Sequence, residues 1–148
     1  MSYSLILLAA GNSKRFSHRT PKPFIKIAGR TILELSLFKF NNIKQIKNII
    51  VVINKKHLKY TKKIKSKKFV KVIGGKSRQE STLKALKFIK RKKIKCSKVL
   101  IHDSARPNFS LQLIRRIINN SNKKSVIPKM PINDALKSIL NKNKLLNL

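Results

Sequence analysis

The chain has 148 residues, with 37 Lys+Arg against 4 Asp+Glu and a formal net charge of +33. That length supports a single domain with a proper core, and a hydrophobic content of 41% excludes a disordered chain. Cys96 is the sole cysteine, which excludes an intramolecular disulfide and a cysteine-based zinc cluster and fits a reduced, cytoplasmic setting.

In chain order, the start lacks a basic n-region, and the apolar run from Ile6 to Ala10 is too short for a signal or a membrane span. Residues 5–10 read as a buried strand, followed by a polar loop over 11–22. A helix is expected over 31–41, a β-branched strand over 49–53 and a weaker helical stretch over 55–64. A strand over 69–73 ends at Gly74-Gly75 and leads into a helix over 77–90. A strand over 99–102, a helix over 110–120 and a strand over 125–127, closed by Pro128, complete the series. This alternation predicts an α/β domain with a mainly parallel sheet, whose ligands bind at the carboxyl ends of the strands.

The charge invites nucleic acid as a partner. The lysines are dispersed along the whole chain, however, and only two Tyr and no Trp offer stacking platforms. Lys, Asn and Ile are abundant together, the mark of compositional drift. Nucleic acid is therefore disfavoured, although such a field attracts polyanions, nucleoside triphosphates among them. Of the four acids, Glu34 and Glu80 stand three residues after Thr31 and Ser77, the spacing of a capping box. Asp103 and Asp134 have no such explanation, and each adjoins a strand end, where a metal ligand or substrate contact would sit.

Four segments carry the candidate chemistry. In the first, Leu7-Leu8-Ala9-Ala10-Gly11 runs into Asn12-Ser13-Lys14-Arg15-Phe16: small residues let backbone N–H groups approach phosphate oxygens, with two cations close behind. It matches neither a Walker A loop nor a dinucleotide fingerprint, and by itself is equally an ordinary tight turn. In Pro21-Lys22-Pro23-Phe24, two prolines stiffen the backbone around an ammonium that can stabilise charge on a transferring phosphoryl group. Gly74-Gly75-Lys76-Ser77-Arg78-Gln79-Glu80-Ser81 joins a strand to a helix N-terminus, where N–H groups bind anions or polar base edges. Lastly, Ile101-His102-Asp103-Ser104-Ala105-Arg106-Pro107 puts a carboxylate and a guanidinium just past a strand. Asp103 is suited to Mg²⁺ and Arg106 to a phosphate, or the two brace the loop as an ion pair; His102 reads as a packed strand-end histidine.

In this order, Ala-Ala-Gly-x-x-x-Arg-Phe, Pro-Lys, Gly-Gly-x-x-Arg-x-x-Ser and His-Asp-x-Ala-Arg-Pro resemble the 2-C-methyl-D-erythritol 4-phosphate cytidylyltransferases. Pro131-Ile132-Asn133-Asp134-Ala135-Leu136-Lys137 is similar to a fifth segment of that family. The resemblance implies a Rossmann-like three-layer α/β/α sandwich of the nucleotide-diphospho-sugar transferase type, with a β-arm that builds a homodimer. It implies transfer of CMP from CTP to an alcohol phosphate with Mg²⁺ as cofactor, a step of non-mevalonate isoprenoid biosynthesis.

By the same resemblance, Arg15 and Lys22 are the catalytic cations, and Ala9, Ala10 and Gly11 cradle the CTP phosphates. Gly75, Lys76 (through its backbone), Arg78 and Ser81 match cytidine-recognising positions, and Ser104 is taken with the nucleotide contacts. Asp103, as metal ligand and substrate contact, joins Arg106 and Ala135 on the substrate side. Ser13 replaces a frequent family glycine, and Asn-Ser-x-Arg-Phe is similar to bifunctional enzymes with a cyclodiphosphate synthase domain. Ala135 stands where many relatives have threonine. Later family segments do not appear before Leu148, so a C-terminally truncated nucleotidyltransferase domain is expected over 1–148. The β-arm then begins at about 131–148, and weak CTP binding with little turnover follows. A ribitol 5-phosphate cytidylyltransferase is the enzyme alternative; a basic nucleic-acid-binding protein, or an inactive truncated nucleotide-binding fragment, is the alternative of another class.

Overall fold

The computed structural model describes residues 1–11, 20–62, 64, 69–122, 125–131, 137–141 and 144–147. The chain divides into two compact units, Met1–Phe109 and Ser110–Leu148.

The first unit is built on a four-stranded sheet. Strand β1 (Tyr3–Ala9) is almost wholly buried, as the apolar run from Leu5 to Ala9 demands. It pairs in parallel with β4 (Ile46–Ile53) on one side and β6 (Lys98–Asp103) on the other, and β5 (Phe69–Ile73) pairs in parallel outside β4. The order is β5-β4-β1-β6. The chain thus moves outward from β1 to β5, then crosses to the opposite side of β1. That reversal opens the crevice where open α/β sheets bind ligands.

Alternation along the strands makes two apolar faces. Ile6, Ile50 and Val52 pack with Ala85 and Ile89 of helix α3 (Arg78–Arg91). On the other face, helix α1 (Ile32–Asn41) places Phe40 against His102, with ring centroids 5.2 Å apart. Helices therefore cover both faces, giving the three-layer Rossmann-like arrangement. Thr31 caps α1 as the sequence predicts: its hydroxyl accepts from Glu34 N–H at 3.1 Å, while Glu34 Oε2 accepts from Thr31 N–H at 2.8 Å.

Three features depart from the sequence-based elements. Lys26–Ile27 (β2) and Arg30–Thr31 (β3) form a short hairpin whose two central residues, Ala28 and Gly29, have φ of 47° and 79°. Positive φ at both positions suits a tight hairpin turn, yet an alanine there gives little warning of it. The helix expected over 55–64 is a 3-10 turn (Lys55–His57) leading into a single turn, α2 (Leu58–Thr61). In the second unit, α4 (Leu111–Asn119) forms behind a Ser110 cap, and β7 (Lys137–Asn141) pairs antiparallel with β8 (Lys144–Asn147). Residues 125–127 are not a strand: they pair with no described strand, and Ile127 is 84% exposed.

Candidate functional site

Segments leaving all four parallel strands line one cavity of about 820 Å³. The end of β1 contributes Leu8 to Gly11, the end of β5 contributes Ile73 to Arg78, and the end of β6 contributes Asp103, Ala105 and Arg106. Lys22 and Pro23 come from the loop before β2. Two residues absent from the sequence motifs, Asn54 and Lys55, enter because β4 pairs with β1 in register, Ile53 beside Ala9. Only the strand register could have revealed them.

The close approach in this site belongs to Gly74. A Cβ there would lie 2.6 Å from Ala10 Cβ and 2.9 Å from Ser81 Oγ, whereas a Cβ on Gly11 meets nothing within 4 Å. The small residues Ala10 and Gly74 therefore let the ends of β1 and β5 meet. Gly74 N–H donates to Ile53 O at 2.9 Å, which extends the ladder.

Helix α3 locks the turn that follows. Its cap Ser77 accepts from Glu80 N–H at 3.0 Å, but Glu80 does not reach back to Ser77 as a full capping box would. Its Oε2 accepts instead from Lys76 N–H at 2.7 Å, and its carboxylate pairs with Lys84 at 3.0 Å. The Lys76 hydrogen bond, then Lys84, holds the Glu80 carboxyl below its ordinary value. Gly75 N–H donates to Ser81 Oγ at 3.0 Å. The backbone N–H groups of Gly75 and Lys76 thus both donate within the chain in this geometry, while both residues line the cavity.

Asp103 ends β6 beside Leu8 and faces two guanidinium groups: Arg78 Nε at 3.2 Å from Oδ1 and Arg106 Nε at 3.6 Å from Oδ2. The bracing ion pair and the ligand-facing carboxylate are therefore the same group. Ser104, expected among the nucleotide contacts, does not line the cavity. It is fully buried, its hydroxyl donates to Leu8 O at 2.7 Å, and its carbonyl accepts from Ser36 Oγ at 3.0 Å. Its polar groups are spent on fixing the loop to β1 and α1.

Lys22 opens a 3-10 turn, Lys22–Phe24, preceded by Pro21 at φ −60°. Phe24 is buried and stacks on Tyr60 with centroids 5.2 Å apart and planes 18° from parallel, with His57 edge-on at 6.1 Å. This aromatic anchor fixes the backbone that carries Lys22. His57 Nδ1 is buried with no hydrogen-bond partner among the described residues. Burial, then Lys56 and Lys59, pushes that imidazole below its ordinary value.

Of the residues singled out in the sequence, Ala9, Ala10, Gly11, Lys22, Gly75, Lys76, Arg78, Ser81, Asp103 and Arg106 meet at this cavity. Arg15 and Ala135 lie outside the described residues, as does Asp134. Among the described residues the lining carries five cationic side chains, Lys22, Lys55, Lys76, Arg78 and Arg106, and one carboxylate, Asp103. Such a surface suits a polyanion of triphosphate size. No cluster of three His, Cys, Asp or Glu occurs among the described residues. The described lining offers one carboxylate, Asp103, a donor that fits Mg²⁺ carried on phosphate oxygens.

The family model for 2-C-methyl-D-erythritol 4-phosphate cytidylyltransferase matches residues 3–147. The chain belongs to that cytidylyltransferase family. It is 40% identical over 144 residues to the bifunctional enzyme IspD/IspF of Pelagibacter ubique, covering 97% of this chain and 38% of that protein. It is 37% identical over 143 residues to the 2-C-methyl-D-erythritol 4-phosphate cytidylyltransferase of Thermosipho melanesiensis, covering 93% of this chain and 62% of the relative. Among solved structures, the bifunctional IspDF of Campylobacter jejuni superposes with a TM-score of 0.81 at 30% identity, over 99% of this chain and 37% of that one. The 4-diphosphocytidyl-2C-methyl-D-erythritol synthase of Anaerococcus prevotii gives 0.76 at 30% identity, over 97% and 61%. The chain spans 38% and 62% of the lengths of the two curated relatives. No helix among the described residues is long and apolar enough to cross a membrane.

Proposed function

We propose that this chain forms the nucleotide-binding part of an enzyme that transfers CMP from CTP to 2-C-methyl-D-erythritol 4-phosphate and releases pyrophosphate. The observation that carries this is the convergence of the Ala-Ala-Gly, Pro-Lys, Gly-Gly-x-x-Arg and Asp-x-x-Arg segments on one cavity, in a chain of the cytidylyltransferase family.

The reaction forms a bond from a substrate phosphate oxygen to the α-phosphorus and breaks the bond from that phosphorus to the β-phosphate bridge. The nucleophile is already anionic, so no general base is needed. The protein's task is to align the two phosphates and neutralise charge in the transition state. Lys22, on its proline-stiffened and aromatic-anchored turn, and Arg15 serve the α-phosphorus. Arg106 binds the incoming phosphate, and the small residues from Ala9 to Gly11 let the triphosphate close on the backbone. Mg²⁺ carried by the triphosphate, met by Asp103, would supply further charge neutralisation. The β7–β8 hairpin is assigned to the start of the family's β-arm, and a homodimer is the expected assembly.

Isothermal titration of the chain with CTP, ATP, 2-C-methyl-D-erythritol 4-phosphate and ribitol 5-phosphate tests the proposal. CTP should bind at least about tenfold tighter than ATP, the effect of one well-placed hydrogen bond to the base, and the methylerythritol phosphate should outcompete ribitol 5-phosphate. Equal affinity for both nucleotides would contradict it.

A further inference from the structure

In the loop that carries Asp103 and Arg106, five backbone carbonyls have identified donors. Asp103 O accepts from Arg106 N–H at 3.0 Å. Ser104 O accepts from Ser36 Oγ at 3.0 Å. Arg106 O lies 3.0 Å from His102 Nε2, and a carbonyl can only accept, so the ring carries its proton there. Pro107 O and Phe109 O both accept from Lys39 Nζ, each at 2.9 Å.

Two of these donors, Ser36 and Lys39, stand three residues apart on α1, on the face that also presents Phe40. Phe40 stacks on Phe109 at 4.5 Å between centroids, and the Lys39 ammonium lies 5.1 Å from the centre of the Phe109 ring. None of these α1 residues lines the cavity. Their polar atoms point instead at the backbone of the loop that does. A half-buried lysine directed at two carbonyls makes charge-assisted hydrogen bonds, stronger than neutral ones.

We propose that Lys39, helped by Ser36, is a positioning residue: it clamps the Ser104–Phe109 backbone to α1 and so sets where Arg106 meets the incoming phosphate. The Arg106 side chain is 79% exposed and touches only Asp103 among the described ion pairs, so its aim depends on its backbone. Displacing a binding group by about 1 Å can cost roughly a hundredfold in rate. The clamp therefore acts on the phosphate subsite while leaving the nucleotide contacts at Gly74 to Ser81 in place. This rests on the cytidylyltransferase reading for the identity of the phosphate, but not for the existence of the clamp.

Amide hydrogen exchange on the full chain separates the two. In Lys39→Met, exchange in the peptide covering 103–109 should rise about tenfold, with β1 and the first turn of α1 unchanged. Affinity for 2-C-methyl-D-erythritol 4-phosphate should fall about tenfold, the order expected for weakening one hydrogen bond to a charged group, while CTP affinity changes less than about threefold. Lys39→Arg should restore both, because guanidinium also serves two acceptors. Ser36→Ala should loosen the same peptide through Ser104, which keeps the test open if Lys39→Met folds poorly. Unchanged exchange at 103–109 in both variants, or an equal rise across β1 and all of α1, would overturn the clamp. A wild-type chain that binds neither ligand would count against the cytidylyltransferase reading alone, and the exchange result would still decide the clamp.

Discussion

Arg78 Nε lies 3.2 Å from Asp103 Oδ1, tying the first turn of α3 to the end of β6 across the cavity. Both partners are partly exposed, so the pair adds less than about 1 kcal/mol to stability. Its consequence is electrostatic, since Asp103 is the only carboxylate among the described lining residues. Asp103→Asn should therefore leave urea denaturation almost unchanged. It should also abolish the gain in CTP affinity on adding Mg²⁺, measured by titration with and without the metal. Retained Mg²⁺ dependence would remove Asp103 from the metal's environment.

The two adjacent glycines should respond differently to alanine. At Gly74 the new Cβ meets Ala10 and Ser81 at 2.6 and 2.9 Å, and the Ala10 side is short and cannot turn away. Gly74→Ala should cost about 1–3 kcal/mol and weaken CTP binding by moving β1 against β5. At Gly75 the obstruction is the Glu80 side chain, which is flexible and can swing aside. Gly75→Ala should cost less, at the expense of the Lys76 N–H bond. Chemical denaturation of both variants checks the order.

Lys22 and Phe24 separate chemistry from scaffold. Lys22→Met should change stability by less than about 0.5 kcal/mol, as for an exposed side chain, and lower CTP affinity about tenfold or more through loss of a charged contact. Phe24→Ala removes the ring stacked on Tyr60 and should cost about 3–5 kcal/mol. Thermal melts and calorimetric titration of the pair distinguish the two roles.

Acid should destabilise the fold through its histidines. Burial holds His102 below its ordinary value of 6.5, and burial with Lys56 and Lys59 does the same for His57. Below that value the unfolded chain takes up protons that the folded rings refuse, so stability falls as pH drops from 6.5 toward the folded values. Glu80, also held low, adds a further loss at more acidic pH, as its carboxylate is protonated away from Lys76 and Lys84. Urea midpoints from pH 7.5 to 5 should decline in the wild type and decline less in a His57→Gln, His102→Gln variant.

Much of the framework was readable because its signals are local. Thr31 and Glu34 announced α1, the apolar run of β1 announced a buried central strand, and Gly74-Gly75 announced the end of β5. Signals that depend on pairing were not readable. The β2–β3 hairpin turns on Ala28 at positive φ, residues 125–127 have strand composition but pair with no described strand, and Asn54 and Lys55 reach the cavity only through the register of β4 with β1. At the site, motif order brought ten residues to one cavity, yet it cast Ser104 as a contact when burial makes it a brace. The reciprocal arm of the second capping box was likewise redirected, because Lys76 N–H lies within reach of Glu80.

The most direct test is amide chemical-shift mapping of the chain titrated with CTP and, separately, with inorganic tripolyphosphate. Both should perturb Ala10, Gly11 and the amides around Asp103 and Arg106, and CTP alone should perturb Gly75, Lys76 and Ser81. Perturbations scattered over the lysine-rich surface, or identical maps for the two ligands, would contradict a cytidine-selective site at the ends of these strands.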